Sequence, residues 1–446
     1  MSSRREFIKK TGTGMAALSI GGILPGFSAS RYSNIIGAND RINVAVIGVN
    51  SRGDALASNF ARQEGCEVAV ICDVDRRAVE KTINTVKTAR NTTPKGEKDL
   101  RKVLGNKQID AVVIAMPDHW HTPAALLALQ AGKHVYLEKP VSYCPREGEM
   151  LLEASIKYGK VVQIGTQRRS WPKVVEAVQL VRSGAIGKVH FGKGWYVNNR
   201  PSIGIGKVAP VPDWLDWDLW QGPAPRTVFK DNIVHYNWHW FWRWGTAETL
   251  NNGTHMIDLL LWGMDLKFPT KVSSIGGRYY YRDDWETADT QTVSLEFGKD
   301  ASLLWEGYSC SSRNIENSSV GVIFHGDTGS LYISGGDDYK IFDKDNHVIK
   351  EVKSEITIDP QNKVSPAQHL DAIHILNFFD GIRKGAPLNM SVEAGHKCTL
   401  LMQLANISYR TGRTLDINPA DGHIISDHEA ERFWSRSYEP GWEARV

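Results

Sequence analysis

A turn with two glycines, followed at a set distance by an acid, has the spacing of a dinucleotide site. The turn runs from Gly48 to Gly53, between an apolar β-branched run at 42–47 and a helical pattern, and a second apolar run ends at Asp73. The glycines permit a tight turn and close approach of helix to strand, and the helix N-terminus attracts pyrophosphate. A carboxylate at Asp73 can accept from both ribose hydroxyls and repels a 2′-phosphate, so the pattern predicts NAD rather than NADP.

The middle of this turn departs from the usual G-x-G-x-x-G pattern. Asn50 stands where the second glycine is expected. Asparagine tolerates left-handed backbone angles better than other non-glycine residues, so we expect the turn to form. A flavodoxin-like βαβ unit that binds nothing is the alternative.

Strand and helix patterns continue to alternate through residue 165. Apolar strands are predicted at 110–116, 133–137 and 161–164, with helices between them, which is typical of a doubly wound parallel sheet. Ligands of such sheets bind at the carboxyl ends of the strands. The predicted cofactor-binding residues are Gly48, Asn50, Arg52, Gly53, Asp73, Pro117, His119, His121, Glu138, Lys139 and Gln167.

The pattern changes near Trp171. A helix at 174–183 and a strand at 188–196 are followed by a long loop at 198–240. The remaining elements are an apolar helix from His255 to Trp262, six alternating segments of one antiparallel sheet between 271 and 342, and two helices, 368–384 and 391–409, that pack back on the first domain. The predicted fold is α/β, with a Rossmann domain at 40–165, an α+β domain with a large open sheet at 166–415, and a polar C-terminal tail at 416–446.

The first thirty residues differ in character from the rest. An arginine pair, Phe7 and Lys9 precede a glycine-diluted apolar segment at 14–24, and small residues follow up to Ser30. This order matches a twin-arginine export signal over residues 1–30, which predicts cleavage near Ser28–Ser30 and a periplasmic protein. The apolar segment is too short for a permanent membrane anchor. A cytoplasmic protein with a basic tail is the alternative.

Charge and cysteine content exclude some classes of function. The net charge is +3 with both signs mixed along the chain, so nothing indicates a nucleic-acid partner. The five cysteines are scattered without metal-ligand spacing. We therefore expect no disulfide framework and no metal site.

Two later motifs, together with the glycine turn, resemble one known family. The run PDHWHTPAALLALQAGKHVYLEKP at 117–140 and GTHMID at 253–258 are similar to signatures of the glucose–fructose oxidoreductase / inositol dehydrogenase (Gfo/Idh/MocA) family. The resemblance covers roughly residues 41–419. It implies an NAD(P)-dependent oxidoreductase that acts on CH–OH groups of sugars or cyclitols, assembled as a homodimer or homotetramer through its open sheet.

The resemblance also implies the catalytic residues. Lys139 matches the family's active-site lysine and His255 its catalytic histidine, while Asn251 stands where the family usually has an aspartate. Oxidising an alcohol needs a base for the hydroxyl proton, a role suited to histidine. An ammonium group stabilises the developing alkoxide. On the residues alone, Lys139 could be a strand-end charge and His255 a satisfied core histidine.

Other charged and imidazole side chains have two interpretations each. His119 and His121 contact nicotinamide or substrate, or cap the following helix. Arg168 and Arg169 meet substrate or form ion pairs, and ion pairs are favoured. Asp258 could hold the His255 ring, but we expect a carboxylate on the helix surface.

Eight of the fifteen tryptophans lie between Trp195 and Trp244, in or beside the long loop. Trp238, Trp240, Trp242 and Trp244 alternate, so in a strand they would share one face. Such a face could stack on sugars, but packing beneath the loop or a dimer interface is the favoured interpretation. The predicted substrate-binding residues are Lys139, Arg168, Trp238, Asn251 and His255.

Three functions remain open from the sequence. We favour an exported NAD(H)-dependent oxidoreductase acting at a ring secondary hydroxyl of a sugar or glycoside, such as C3. The first alternative is a glycosidase with tightly bound, self-recycling NAD, which oxidises, eliminates, hydrates and reduces, and which needs an extra base from among Tyr196, His235, Tyr236 and His239. The second alternative is a non-catalytic sugar-binding protein.

Overall fold

The computed structural model describes residues 41–355 and 368–446. The predicted export signal lies outside the described residues. Among the described helices, none has both the length and the apolar character needed to cross a bilayer.

The first domain is a six-stranded parallel sheet covered by helices. The strand order is β3-β2-β1-β4-β5-β6, which reverses between β1 and β4 and places a binding crevice at that point. The fold class predicted from the sequence is confirmed. The strands are β1 (Ile42–Ile47), β2 (Cys66–Cys72), β3 (Lys95–Glu97), β4 (Ala111–Ile114), β5 (His134–Leu137) and β6 (Val162–Ile164); the helices are α1 (Arg52–Ala61), α2 (Arg76–Arg90), α3 (Leu100–Gly105), α4 (His121–Gln130) and α5 (Pro145–Tyr158).

The glycine turn packs as tightly as its sequence predicts. Gly48 has φ +82°, a conformation that favours glycine. A Cβ atom on Gly53 would lie 1.8 Å from the Gly48 carbonyl oxygen, so only glycine lets α1 approach β1 this closely. Asn50 is not among the described residues with positive φ, so its tolerance of left-handed angles is not needed.

The second domain is built on a nine-stranded sheet. The order is β14-β13-β12-β11-β7-β10-β9-β8-β15, and all neighbours are antiparallel except the parallel pair β7 and β10. Helices α6, α8 and α10 pack on one face and form the largest core cluster. The strands are β7 (Val189–Val197), β8 (Lys271–Gly277), β9 (Thr290–Phe297), β10 (Ala301–Tyr308), β11 (Val320–Gly326), β12 (Gly329–Ser334), β13 (Tyr339–Asp343), β14 (Val348–Val352) and β15 (Leu415–Asp416); the helices are α6 (Pro172–Arg182), α7 (Trp217–Gln221), α8 (Thr254–Met264), α9 (Gln368–Lys384), α10 (Val392–Thr411) and α11 (His428–Glu431).

Helix α9 returns to the first domain and completes its core. Phe378 and Phe379 lie against Phe60 of α1 and belong to the same buried cluster as Tyr136 of β5. The Rossmann sheet is therefore covered on this side by a helix that comes more than two hundred residues later in the chain.

The segment predicted as a polar tail is packed instead. Arg436 forms an ion pair at 2.6 Å with the fully buried Glu147 of α5, and the Trp442 ring meets Trp120 edge-on. The backbone N–H of Glu439 donates to the Pro223 carbonyl at 3.1 Å. Buried charge pairing and aromatic contacts, which composition does not reveal, hold these residues against both domains.

Candidate functional site

A cavity of about 610 Å³ lies at the carboxyl ends of the Rossmann strands and is closed by the second domain. Most of the predicted site residues line it together. From the first domain these are Gly48, Asn50, Arg52, Asp73, Pro117, His121, Glu138 and Lys139, and from residues beyond it Gln167, Trp238, Asn251 and His255.

Asp73 is held in place by backbone donors. Its Oδ2 accepts from the Val49 N–H at 2.6 Å and its Oδ1 from the Asp75 N–H at 2.9 Å. Burial raises the pKa of this carboxyl, and the two backbone hydrogen bonds act in the opposite direction. Since each carboxylate oxygen can accept a second hydrogen bond, the oriented group remains suited to a ribose diol.

Arg52 ties the glycine turn to two distant segments. Its Nε donates to Glu138 at 2.8 Å and its Nη1 to Asp371 of α9 at 2.7 Å. A Cβ on Gly165 would lie 2.8 Å from the Glu138 carboxylate, so a glycine there makes room for this pair. Arg52 and Glu138 both line the cavity, and their ion pair fixes the shape of the glycine turn.

Lys139 follows β5 and points across to the second domain. Its Nζ donates to the Asn251 backbone carbonyl at 2.5 Å and lies 3.4 Å from the Asn251 side-chain oxygen. Burial lowers the pKa of Lys139, and the carboxylates of Glu138, Asp118 and Glu248 oppose that effect. The ammonium group is thus oriented by the residue that replaces the family's aspartate.

His255 is buried at the start of α8, with only 1% of its surface exposed. Neither ring nitrogen has a hydrogen-bond partner among the described residues. A satisfied core histidine would have such partners, so this arrangement favours a ligand in the cavity. Burial lowers the pKa of His255 well below 6.5, and the positive charges of Lys139, Arg168 and Arg52 act in the same direction.

Glu248 and Arg200 form a buried ion pair beside Asn251 that the sequence analysis missed. The Arg200 Nε donates to Glu248 Oε2 at 2.7 Å, and the amide groups of Asn251 and Asn252 donate to Glu248 Oε1. Arg200 lies in the long loop, 48 positions before Glu248, and no local pattern links the two. The pair fixes the turn at Thr249–Gly253, a single π-helical turn that positions Asn251.

Two predicted contacts are contradicted by the structure. Arg168 is 1% exposed and donates from Nη2 to the backbone carbonyls of Ser334 and Gly336. His119 is fully buried, with Nε2 3.1 Å from the Trp220 carbonyl oxygen, and burial lowers its pKa to about 3. Neither side chain lines the cavity among the described residues, because each binds backbone carbonyl groups of another segment.

His121 and Gly53 support the site from behind. The His121 ring nitrogens lie 2.5 Å from the Pro140 carbonyl oxygen and 2.8 Å from that of Met116. The ring therefore joins the segments that follow β4 and β5. Gly53 is the packing position beneath the turn described above and does not itself appear in the described cavity lining.

The tryptophans at 238–244 do not form one wall, because Asn237–Trp240 is a 3₁₀ turn rather than a strand. Trp238 lines the cavity, Trp240 is buried with its ring 4.0 Å from that of Trp285, and Trp244 packs edge-on against Trp220. The shared face on which a sugar could stack does not form. Packing beneath the loop, part of the favoured interpretation, accounts for Trp240 and Trp244, and Trp238 alone of the four lines the described cavity.

The four residues named as a possible extra base differ in their hydrogen-bond partners. His235 Nε2 lies 2.8 Å from Asp75, and the hydroxyls of Tyr196 and Tyr236 accept from Arg200. His239 Nδ1 donates to the Tyr236 carbonyl, which leaves Nε2 as the acceptor nitrogen. Burial lowers the pKa of His239 to about 3, and the positive charge of Lys139 acts in the same direction, so its ring is neutral.

Asp258 is buried rather than on the helix surface. Its two oxygens accept from Nε and Nη2 of Arg169 at 2.8–3.1 Å, and the side chains are 0% and 13% exposed. The ion-pair interpretation of Arg169 holds in the structure. The structure supports neither the surface position expected for Asp258 nor its contact with the His255 ring.

We expect Asp258→Asn to lower the free energy of unfolding by about 3–5 kcal/mol, because it leaves the Arg169 guanidinium buried without its counter-charge. The measurement is the urea midpoint. Asp300→Asn is the matched control, since the Asp300–Lys188 pair is 83% and 71% exposed and such pairs contribute under about 1 kcal/mol. Equal midpoints for the two variants would contradict the prediction.

Comparison with known proteins agrees with this geometry. Residues 42–166 match the family model described as "Oxidoreductase family, NAD-binding Rossmann fold", and residues 211–417 match its "C-terminal alpha/beta domain". The chain belongs to the Gfo/Idh/MocA oxidoreductase family. Its first domain is an NAD-binding Rossmann domain, and the resemblance inferred from the Lys139 and His255 motifs is confirmed at the level of the family.

Solved structures of other proteins share the fold. Levoglucosan dehydrogenase in complex with NADH and levoglucosan superposes with a TM-score of 0.64 at 18% identity, over 84% of this chain and 99% of that one. The WlbA dehydrogenase from Bordetella pertussis, in complex with NADH and UDP-GlcNAcA, gives 0.63 at 17% identity, over 85% and 99%.

Curated relatives match over a shorter stretch. A glycosyl hydrolase family 109 protein from Saccharopolyspora erythraea is 27% identical over 253 residues, 51% of this chain and 55% of the relative. An alpha-N-acetylgalactosaminidase from Shewanella oneidensis is 24% identical over 210 residues, 44% and 46%. The chain spans about half the length of the curated relatives that it matches.

Proposed function

We propose that the chain is an exported, periplasmic oxidoreductase that uses NAD to interconvert a ring secondary hydroxyl and ketone, such as that at C3, of a sugar or glycoside. The observation that carries the proposal is the convergence of Lys139 and His255 on one cavity whose other wall holds the glycine turn and Asp73. The twin-arginine pattern supports export.

The chain's own residues have distinct tasks in this reaction. When bound, NAD supplies the acceptor and donor of hydride. The neutral His255 ring takes the proton from the substrate hydroxyl, and its low pKa keeps it in the accepting form. The Lys139 ammonium group stabilises the negative charge on the same oxygen. Asn251 orients Lys139 through its backbone carbonyl and cannot itself take the proton.

The test is mass spectrometry of products. Protein purified with its native cofactor is incubated with glycosides and free sugars without added NAD. A product lighter by two hydrogens, stoichiometric with enzyme and multiplying when NAD is supplied, supports the dehydrogenase. No change in any substrate would count against it and favour a sugar-binding protein.

A glycosidase that recycles its own NAD is the second candidate. The observation that favours it is His239, a neutral base in the same cavity as Lys139 and His255. Oxidation at C3 acidifies the C2 proton, and a second base is then required to remove it before the glycosidic bond breaks. The names of the curated relatives are consistent with this chemistry. Aglycone released over many turnovers without added NAD would establish it.

We expect the protein to bind NAD at least about tenfold more tightly than NADP, because the Asp73 carboxylate repels a 2′-phosphate. Asp73→Asn keeps one acceptor oxygen, removes the charge and should close most of that difference. Calorimetry on cofactor-stripped protein measures both affinities, with the exposed Asp300→Asn as control. Tighter binding of NADP by the unmodified protein would refute the assignment.

Assembly as a homodimer or homotetramer belongs to the same proposal. The face of the nine-stranded sheet that α6, α8 and α10 leave uncovered carries aromatic side chains, including Phe191 stacked on His325. This face is the surface through which we expect copies to associate.

A further inference from the structure

Residues 199–245, which we call the cover segment, form the second wall of the cofactor cavity. The cover-segment residues that line the cavity, together with the glycine turn, include Leu219, Trp220, His235, Tyr236, Trp238 and His239. The segment has a core of its own, in which Trp217 and Trp220 stack with ring centres 4.8 Å apart and Phe241 and Trp244 close the cluster. Because the cover segment is a packed unit, it would move as a rigid body and would not unfold locally.

One edge of the cover segment is joined to the end of β2 through the backbone. The Arg76 N–H donates to the Trp214 carbonyl at 3.0 Å, and the Asp216 N–H donates to the Val74 carbonyl at 3.1 Å. The Arg77 guanidinium lies 3.3 Å from the centre of the Trp214 ring. These contacts surround a short antiparallel bridge between Asp75 and Leu215, directly after the acid that is predicted to bind ribose.

Two side-chain pairs reinforce the same joint. His235 Nε2 lies 2.8 Å from Asp75 Oδ2, and the Asp75 side chain is only 2% exposed. Lys98 Nζ lies 2.7 Å from Asp216 Oδ2. Charged and polar groups of the Rossmann domain are therefore used to hold the cover segment at this edge.

The opposite side of the cover segment is fixed as well. The Trp220 carbonyl lies 3.1 Å from His119 Nε2 and accepts from Trp120 Nε1 at 3.0 Å. This explains why His119 is absent from the described cavity lining: it anchors the far wall. The cavity is thus bridged at both ends by the same segment.

The joint at β2 separates the cofactor cavity from an outer groove. That groove, of about 850 Å³, lies between α2 and residues 211–218, and it shares Asp73, Val74 and Lys98 with the cavity. The shared residues are adjacent to the two side-chain pairs of the joint. Parting the joint would connect the cavity to the groove.

From this arrangement we infer that the cover segment is a gate of the dinucleotide site: opening of its joint with β2 sets the rate at which NAD enters and leaves. The inference rests on the proposed NAD-dependent function. It assigns Asp75, Lys98, Asp216 and His235 to cofactor retention, a role distinct from contact with the reacting atoms.

The test is exchange of bound NAD for isotopically labelled NAD in the holoenzyme, followed by desalting and mass spectrometry. The rate of exchange is measured for the unmodified protein and for variants of the joint. The variant Asp216→Asn with His235→Ala should release NAD at least about tenfold faster. Asn retains the acceptor oxygen that caps α7. Asp218→Asn is the control, since Asp218 lies in the same helix and is 86% exposed.

A gate has a kinetic signature that a simple binding residue lacks. In the double variant, release and binding of NAD should accelerate together, so that Kd changes less than either rate. An unchanged exchange rate in the double variant would overturn the inference. A protein that binds no NAD at all would instead refute the proposed function, so the two failures are distinguishable.

Discussion

Replacing Lys139 by methionine is expected to reduce turnover by about 10²–10³-fold while the protein still binds NAD and sugar. Loss of one preorganised donor at a developing oxyanion has an effect of this size. Methionine has a similar length and fits a buried position, so the cavity should keep its shape. Single-turnover formation of product, with substrate affinity measured separately by calorimetry, gives the readout.

The pH profile adds a second readout for Lys139. The protonated amine is the active form, and burial lowers its pKa from the usual 10.5. Activity should therefore fall as the pH rises through this lowered pKa, and the alkaline limb should lie below pH 10.5. The Lys139→Met variant should lose that limb.

Lys87→Met is the matched control, because Lys87 lies exposed on α2, outside the described lining of the cavity. A Lys139→Met enzyme as fast as the Lys87→Met enzyme would show that the oxyanion group has been misassigned. If unmodified protein binds sugar and shows no turnover to lose, the non-catalytic sugar-binding function gains support.

Replacing His255 by alanine is expected to lower kcat by about 10²–10⁴-fold, the range for loss of a positioned general base. Because neither ring nitrogen has a partner among the described residues, the substitution breaks no hydrogen bond that they form. Folding should be preserved apart from the cost of a cavity. Added imidazole should restore part of the activity, which a purely structural role would not allow.

The expected pH dependence follows from the sign of the His255 shift. The neutral ring is the active base, and burial with nearby cations lowers its pKa well below 6.5. Activity should therefore persist as the pH falls through 6.5 and decline only below it. His428→Ala, at a 96% exposed histidine, is the control. A profile whose acid limb is centred near 6.5 and survives His255→Ala would exclude His255 as the base.

The Rossmann domain was predictable because its signals are local. Gly48, Gly53 and Asp73 lie within one βαβ unit. The two glycines are needed where a Cβ would clash, and the Asp73 carboxylate binds the backbone of the turn. The family was predictable because its two motifs carry Lys139 and His255 intact.

What the sequence did not reveal depends on partners far along the chain. Asp258 is polar and was expected at the surface, yet Arg169, 89 positions earlier, neutralises it in the core. The alternating tryptophans suggested a strand, in which they would share one face. The chain instead forms a 3₁₀ turn at Asn237–Trp240, and the rings point in different directions. No periodic pattern in the sequence indicates that Arg200 pairs with Glu248.

The link from Arg52 to Asp371 has a consequence for modular engineering. The nucleotide-binding turn is braced by an acid 319 positions away, and the aromatic face of Phe60 and Tyr136 is covered by α9. Excising residues 42–166 as a portable cofactor module would uncover that face and leave the turn without its brace. A chimera that borrows this domain should carry α9 with it, since the functional boundary is discontinuous in sequence.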